Sequence, residues 1–219
     1  DESDGSIARY NSTVAVVSNI SLDHKSMEEL RDLFGGFTGR AAKAVLNLDN
    51  LETRALARSL PADKVITFAL AEESATLNAH ELEPLPTGMR FNLTERGGTG
   101  HAVTLNVPGA HNVANALAAL GAVRAIGVPL AEAVAALETF AGIRRRMEIV
   151  GTAAGVTVID DFAHNPDKIA ATLKTLHAFD GRLLILFQPH GFGPLRLMQR
   201  EFIEGFAGLM REDDVLLMP

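Results

Sequence analysis

The run Asp160-Asp161-Phe162-Ala163-His164-Asn165-Pro166 puts two carboxylates and an imidazole at the end of an apolar stretch, directly before a proline suited to opening a helix. Ligands of open α/β sheets gather at the carboxyl ends of parallel strands, so these residues are candidates to hold or orient a substrate. Strand-end polarity, with Asn165 as a helix cap, explains them as well. Phe187-Gln188-Pro189-His190 closes another apolar run, and its Gln and His can face the same crevice. Asn112 and Asn115 stand three residues apart at a helix start, and therefore on one face. Each amide carries both a donor and an acceptor, the combination that reads an adenine edge, though Asn112 also suits an N-cap. Arg144-Arg145-Arg146 offers guanidinium forks that match phosphate oxygens, or else forms a solvated linker. Asp1-Glu2-Ser3-Asp4 and Asp23-His24 supply carboxylates and an imidazole suited to a hard cation, or an acidic terminus and an ordinary turn. His80, His101 and His177 stand in no partner pattern and receive no role.

Other chemistry is excluded. No Lys follows a Gly, so the chain has no Gly-x-x-x-x-Gly-Lys-Ser/Thr phosphate loop. Gly97-Gly98-Thr99-Gly100 lies between two strands and reads as a hairpin turn, without the helix N-terminus that reinforces anion binding. The absence of cysteine rules out a disulfide scaffold, a thiolate zinc site and a thiol nucleophile, and fits a cytoplasmic location. With 47% hydrophobic and 21% charged residues over 219 positions, the composition is that of a folded domain or two. No apolar run is long enough to span a membrane, and no signal segment opens the chain. A net charge of −7 argues against nucleic acid as the main partner. Asp as residue 1 and the apolar run at 215–219 are expected of a chain cut from a longer one.

The elements that position these residues follow from periodicity. Residues 13–20, 44–48 and 65–70 are β-branched or apolar runs that predict buried strands. Ser26 with Glu29 forms a capping box before helically spaced Leu30, Leu33, Phe34 and Phe37, and residues 51–60 predict another helix. Residues 76–107 alternate and are broken by glycine turns, which predicts an antiparallel meander. Residues 111–126 predict a helix stopped by Gly127, and Pro129 starts another in its first turn, to about residue 140. Beyond a boundary near residues 142–146 the pattern becomes regular strand–helix alternation. Strands are expected at 148–150, 156–159, 183–187 and 215–218, with helices at 166–177 and 195–210, implying βαβ units and a mostly parallel sheet.

Taken together and in order, six segments resemble the Mur ligase family. They are Asp1-Glu-Ser-Asp-Gly-Ser, Val16-Val-Ser-Asn-Ile-Ser-Leu-Asp-His24, Pro108-Gly-Ala-His-Asn-Val-Ala-Asn-Ala116, Arg145-Arg-Met-Glu148, Asp160-Asp-Phe-Ala-His-Asn-Pro166 and Phe187-Gln-Pro-His190. The resemblance implies an α/β fold in two parts. Residues 1–143 correspond to the second half of a P-loop-type central ATP-binding domain with its antiparallel meander. Residues 144–219 correspond to the first part of a Rossmann-like C-terminal domain. The phosphate loop and a magnesium-binding Glu would then lie upstream of residue 1.

The resemblance further implies ATP and Mg²⁺ as cofactors. His24 matches a magnesium ligand, Asn112 and Asn115 the adenine-side amides, Arg146 the arginine that reaches the ATP phosphates, and Asp161 the acid that holds the ribose. Arg146 and His164 are the expected catalytic pair, and His164, Asn165 and His190 the expected substrate contacts. The implied activity is ATP-dependent amide-bond formation in peptidoglycan precursor synthesis: an amino acid or peptide joins the carboxylate of a UDP-sugar through an acyl phosphate. By itself the chain is expected to turn over no ATP. Gly191-Phe192-Gly193-Pro194 stands where alanine-adding members usually have Arg and Thr. The acceptor therefore stays open between UDP-N-acetylmuramate, a recycled murein peptide and a cyanophycin-type substrate. A non-catalytic nucleotide-binding module is the alternative of a different class. Oligomeric state is not implied.

Overall fold

The computed structural model describes the chain except residues 1–4, 22–24, 86 and 190 and the side chains of Pro194 and Leu197. Contacts divide it into two units. The first comprises Asp1–Glu83, Met89–Leu105 and Asn112–Phe140; the second comprises Pro84–Gly88, Asn106–His111 and Ala141–Pro219.

The first unit is built on a six-stranded sheet whose spatial order follows the chain: β1 (Val14–Val17), β2 (Lys43–Asn47), β3 (Val65–Ala69), β4 (Leu77–Leu85), β5 (Gly88–Glu95) and β6 (Gly100–Leu105). Strands β1 to β4 pair in parallel and β5 pairs with β6 antiparallel. Helices α1 (Met27–Arg40) and α2 (Leu51–Ser59) are the crossovers after β1 and β2. The capping box that opens α1 is formed: the Glu29 N–H donates to Ser26 Oγ at 3.3 Å and the Ser26 N–H donates to Glu29 Oε2 at 3.0 Å. Asn50 caps α2 by accepting from the Thr53 N–H at 3.1 Å. Both faces of β2 are covered. Ala44 and Leu46 pack with Leu30, Phe34 and Leu56 of the first two helices. Val45 faces the other way, toward Gly121 of α3 (Ala110–Ala125). A Cβ on Gly121 would stand 2.6 Å from Val45 Cγ1, so glycine is what lets α3 lie this close to the strand. Helix α4 (Leu130–Leu137) follows a turn at Gly127, and Glu138 accepts from the Thr104 N–H of β6 at 3.0 Å.

The second unit carries β7 (Glu148–Ala153), β8 (Val156–Asp160), α5 (Pro166–Leu176), β9 (Leu184–Leu186), α6 (Phe192–Leu197), α7 (Gln199–Leu209) and β10 (Val215–Leu217). Its core is Ile169 and Leu173 of α5 with Phe202 and Phe206 of α7, packed under Ile185 and Leu216 of the parallel β9–β10 pair. A buried carboxylate locks this core. Asp214, whose side chain is fully buried, accepts from the Leu183 N–H, the Arg211 N–H and His177 Nε2 at 2.8, 2.8 and 2.7 Å. Burial works against its charge, but the two backbone donors and His177 outweigh it and hold the carboxyl at about 2.

Four expectations are corrected here. Residues 148–160 do not alternate with helix; β7 and β8 form an antiparallel hairpin. Its turn is Ala154-Gly155, both at positive φ (50° and 77°), a primed turn whose first position lacks the usual Asn or Asp signal. The helix expected at 195–210 is two helices, broken at Met198 (φ −110°, ψ 20°). Helix α4 ends at Leu137, with Pro129 as its N-cap rather than in its first turn. Helix α3 begins at Ala110, so Asn112 lies inside the first turn and is not the N-cap.

Candidate functional site

The second unit assembles its site where β8 hands over to α5. Asp160 ends β8, and Asn165 caps α5 by accepting from the Lys168 N–H at 2.9 Å, with Pro166 in the first turn. This cap fixes the intervening Asp161–Phe162–Ala163–His164 loop. His164 Nδ1 donates to the Phe162 carbonyl at 2.9 Å, and Lys168 Nζ donates to His164 Nε2 at 3.2 Å. A carbonyl can only accept and an ammonium can only donate, so this pairing selects the tautomer protonated on Nδ1. The Phe162 ring, 42% exposed, is a platform. The His164 ring meets it edge-on at 5.2 Å, and the guanidinium carbons of Arg145 and Arg146 stand 4.8 and 5.3 Å from its centroid. Cations over an aromatic face are attracted by its quadrupole, by about 0.5–1 kcal/mol at exposed sites.

The arginines are presented by an unusual turn. Arg145 and Met147 both have positive φ (59° and 51°), and the Arg146 N–H bonds back to the Ile143 carbonyl at 3.2 Å. Three contacts hold this conformation. The Arg145 N–H donates to Glu148 at 2.8 Å, Arg145 Nε lies 3.8 Å from Asp160, and the Met147 N–H donates to Asp161 Oδ1 at 3.0 Å. Asp161 Oδ2 accepts from the Thr172 hydroxyl of α5 at 2.7 Å. Each Asp161 oxygen keeps a second lone pair for a further donor. Arg144, Arg146, Glu148 and Asn106 also line a cavity of ≈ 340 Å³. Nearby, Gly109 (φ 100°) leaves no room for a side chain, since a Cβ there would lie 2.6 Å from Thr175 Oγ1 and 2.7 Å from the His111 ring. Burial pushes His111 below the usual histidine range, with the Asp161 charge opposing it.

In the first unit the two amides stand together on the first turns of α3: Asn115 Nδ2 donates to Asn112 Oδ1 at 3.4 Å, with Asn115 exposed and Asn112 half-buried. The loop after β1 is tied to α2 by Asn50, whose side chain pairs with the Ile20 N–H and carbonyl, each at 3.4 Å. Asp49, after β2, accepts the N–H groups of Leu70, Ala71 and Glu72 at 2.6–3.2 Å. His24, His190 and the acidic run 1–4 lie outside the described residues. Thus Arg146, Asp161, His164 and Asn165 share one cluster in the second unit, and Asn112 and Asn115 form a pair in the first. Phe162, Lys168 and Thr172 were missed. Lys168 was recoverable, because it stands four residues after His164 on a helix start, where side chains become neighbours.

The chain matches the Mur ligase middle domain over residues 2–123 and the Mur ligase, glutamate ligase domain over residues 145–218. It belongs to the Mur ligase family. A UDP-N-acetylmuramate--L-alanine ligase of Streptomyces griseus is 36% identical over 94% of this chain and 47% of its own length. The chain therefore spans about half the length of the curated Mur ligases it matches. Among solved structures, UDP-N-acetylmuramate-alanine ligase MurC of Thermotoga maritima superposes with TM-score 0.76 at 23% identity, over all of this chain and 54% of that one. MurF of Acinetobacter baumannii superposes with TM-score 0.82 at 24% identity, over 99% of this chain and 48% of that one. At these identities the superpositions establish the mixed α/β Mur ligase fold. No helix among the described residues is long and apolar enough to cross a membrane.

Proposed function

We propose that this chain is the ATP-side half of a Mur ligase that joins L-alanine to UDP-N-acetylmuramate in the cytoplasm. Residues 1–143 supply the end of the ATP-binding domain and residues 144–219 the start of the amino-acid domain, a division supported by the two family matches. The observation that carries the reading is the Arg145–Arg146 turn held on Phe162 beside His164, in a chain matched along most of its length by two Mur ligase domains.

Each residue has a role that its chemistry can perform. Asn112 and Asn115 read the adenine edge through amide donors and acceptors. Asp161 holds the ribose with the lone pairs left after its bonds to Met147 and Thr172. Arg146 neutralises phosphate charge, and as a preorganised donor it stabilises charge that develops in the transition state. His164 and Asn165 meet the acceptor and the incoming amine, a role the resemblance also assigns to His190; at His164 the Nε2 lone pair is held by the Lys168 ammonium. ATP, when bound, supplies the phosphoryl group that activates the substrate carboxylate. Among the described residues no group of three His, Cys, Asp or Glu stands close enough to hold a metal ion; within this chain the resemblance assigns Mg²⁺ to His24, which lies outside those residues.

The test is phosphate release from ATP by the full-length protein carrying this sequence, with UDP-N-acetylmuramate and a panel of amino acids. Release that requires both the UDP-sugar and L-alanine is the expected result. Release with a murein tripeptide but not L-alanine would reassign it as a recycling ligase. No acceptor-dependent release, with ATP still bound, would make it a nucleotide-binding module.

A further inference from the structure

We infer that Thr172 is a positioning residue: through Asp161 it sets the turn that presents Arg145 and Arg146. The chain of contacts is short and directional. The Thr172 hydroxyl donates to Asp161 Oδ2 at 2.7 Å, and the other oxygen of the same carboxylate accepts the Met147 N–H at 3.0 Å. Met147 is 3% exposed and sits at φ 51°, a conformation that a non-glycine residue keeps only when its surroundings hold it there. Arg146 lies between two such residues, Arg145 and Met147, so its direction depends on the turn.

The alternatives for Thr172 are weaker. Its neighbour Leu173 is the core residue of that helical turn, and Thr172 itself is only half-buried. Its hydroxyl could have turned back to a helical carbonyl, as Thr175 does toward Ala171 at 2.8 Å. It reaches across to the carboxylate instead, and removes one rotational freedom from Asp161. Without that bond the carboxylate can turn about its side-chain torsions, and Met147 loses a fixed acceptor. The two guanidiniums then leave the Phe162 face.

The consequence for ligand binding rests on the proposed function, in that Arg146 is taken to meet nucleotide phosphates. The experiment therefore has two arms, both on the full chain. In the first, the side-chain NMR signals of Arg145 and Arg146 are followed, since protons over the Phe162 ring are shifted upfield. Thr172→Val should abolish at least half of that shift, Thr172→Ala should do the same without putting a methyl in the place of the hydroxyl, and Thr172→Ser should keep it. The Ile169 and Leu173 methyl signals report that the core is intact. Upfield signals that persist in both Val and Ala variants would overturn the inference. In the second arm, ATP and adenosine affinities are measured for Thr172→Val and Arg146→Ala. The expected result is about a 3–10-fold loss for ATP in Thr172→Val, restored by Thr172→Ser, with a smaller loss for adenosine, whose ribose meets the loosened Asp161 but which has no phosphate for Arg146. ATP weakened by Arg146→Ala but untouched by Thr172→Val would overturn the inference. ATP untouched by both, with the NMR shift still lost, would leave the positioning role standing and remove the phosphate role of Arg146.

Discussion

Asp214→Ala should cost the second unit about 3–5 kcal/mol. The reason is the number of groups it abandons. The Leu183 N–H, the Arg211 N–H and His177 Nε2 all donate to this one carboxylate, whose side chain is fully buried. Those donors join the C-terminus of α5, the entry to β9 and the entry to β10, so their loss frees both strands of the parallel pair. Urea unfolding followed by amide exchange in β9 and β10 reads the effect. Asp214→Asn should fall between, because its amide keeps one accepting oxygen and turns a donor toward a donor.

The same residue makes an acid-limb prediction. Its folded pKa of about 2 lies below the ordinary 3.8, so the unfolded chain takes up the proton first. The stabilisation is complete above about pH 4 and is lost as the pH falls toward 2. In Asp214→Ala the part of the stability–pH curve below about pH 4 should flatten. An unchanged acid limb would show that other carboxylates carry it.

Arg146→Ala should weaken ATP binding by about 10–100-fold while leaving adenosine affinity unchanged, because a charge-assisted bond to phosphate is worth roughly 1.5–3 kcal/mol. The side chain is exposed and stands over the Phe162 ring, so its removal should leave the fold intact. Arg146→Lys should recover part of the loss, because an ammonium keeps the charge without the fork. The ATP deficit should shrink as salt is raised, since wild-type binding itself weakens by screening. Competition titrations with ATP and adenosine at two ionic strengths separate these effects. Equal losses for both ligands would place Arg146 away from the phosphates.

How much of this was legible in the sequence depended on distance along the chain. Caps were legible because they are local: Ser26–Glu29 and Asn165–Lys168 each close within three residues. The parallel strands β1 to β3 were legible as short apolar runs; β2 is buried on both faces, whereas β1, at the sheet edge, leaves Val16 exposed. The β7–β8 hairpin was not, because Ala154 adopts positive φ without the Asn or Asp that advertises it. The break at Met198 was hidden because the apolar spacing continues across it.

In the candidate site, Asp161 and His164 stood out as polar residues closing an apolar strand. Thr172 did not, since its partner is eleven residues away on another element. His177 showed no partner because Asp214 is 37 residues further on, and only folding brings them to 2.7 Å. Phe162 read as one more apolar residue; its role as a platform depends on two guanidiniums delivered by a positive-φ turn.

The most direct test of the central claim, that this chain recognises an adenine nucleotide, is a calorimetric titration of ATP and GTP into the wild type and the Asn112→Ala/Asn115→Ala double variant. The expected result is saturable ATP binding, at least 10-fold preferred over GTP in the wild type, with the preference erased in the double variant because the amides carry it. Equal affinity for ATP and GTP in the wild type, or a preference that survives loss of both amides, would contradict it.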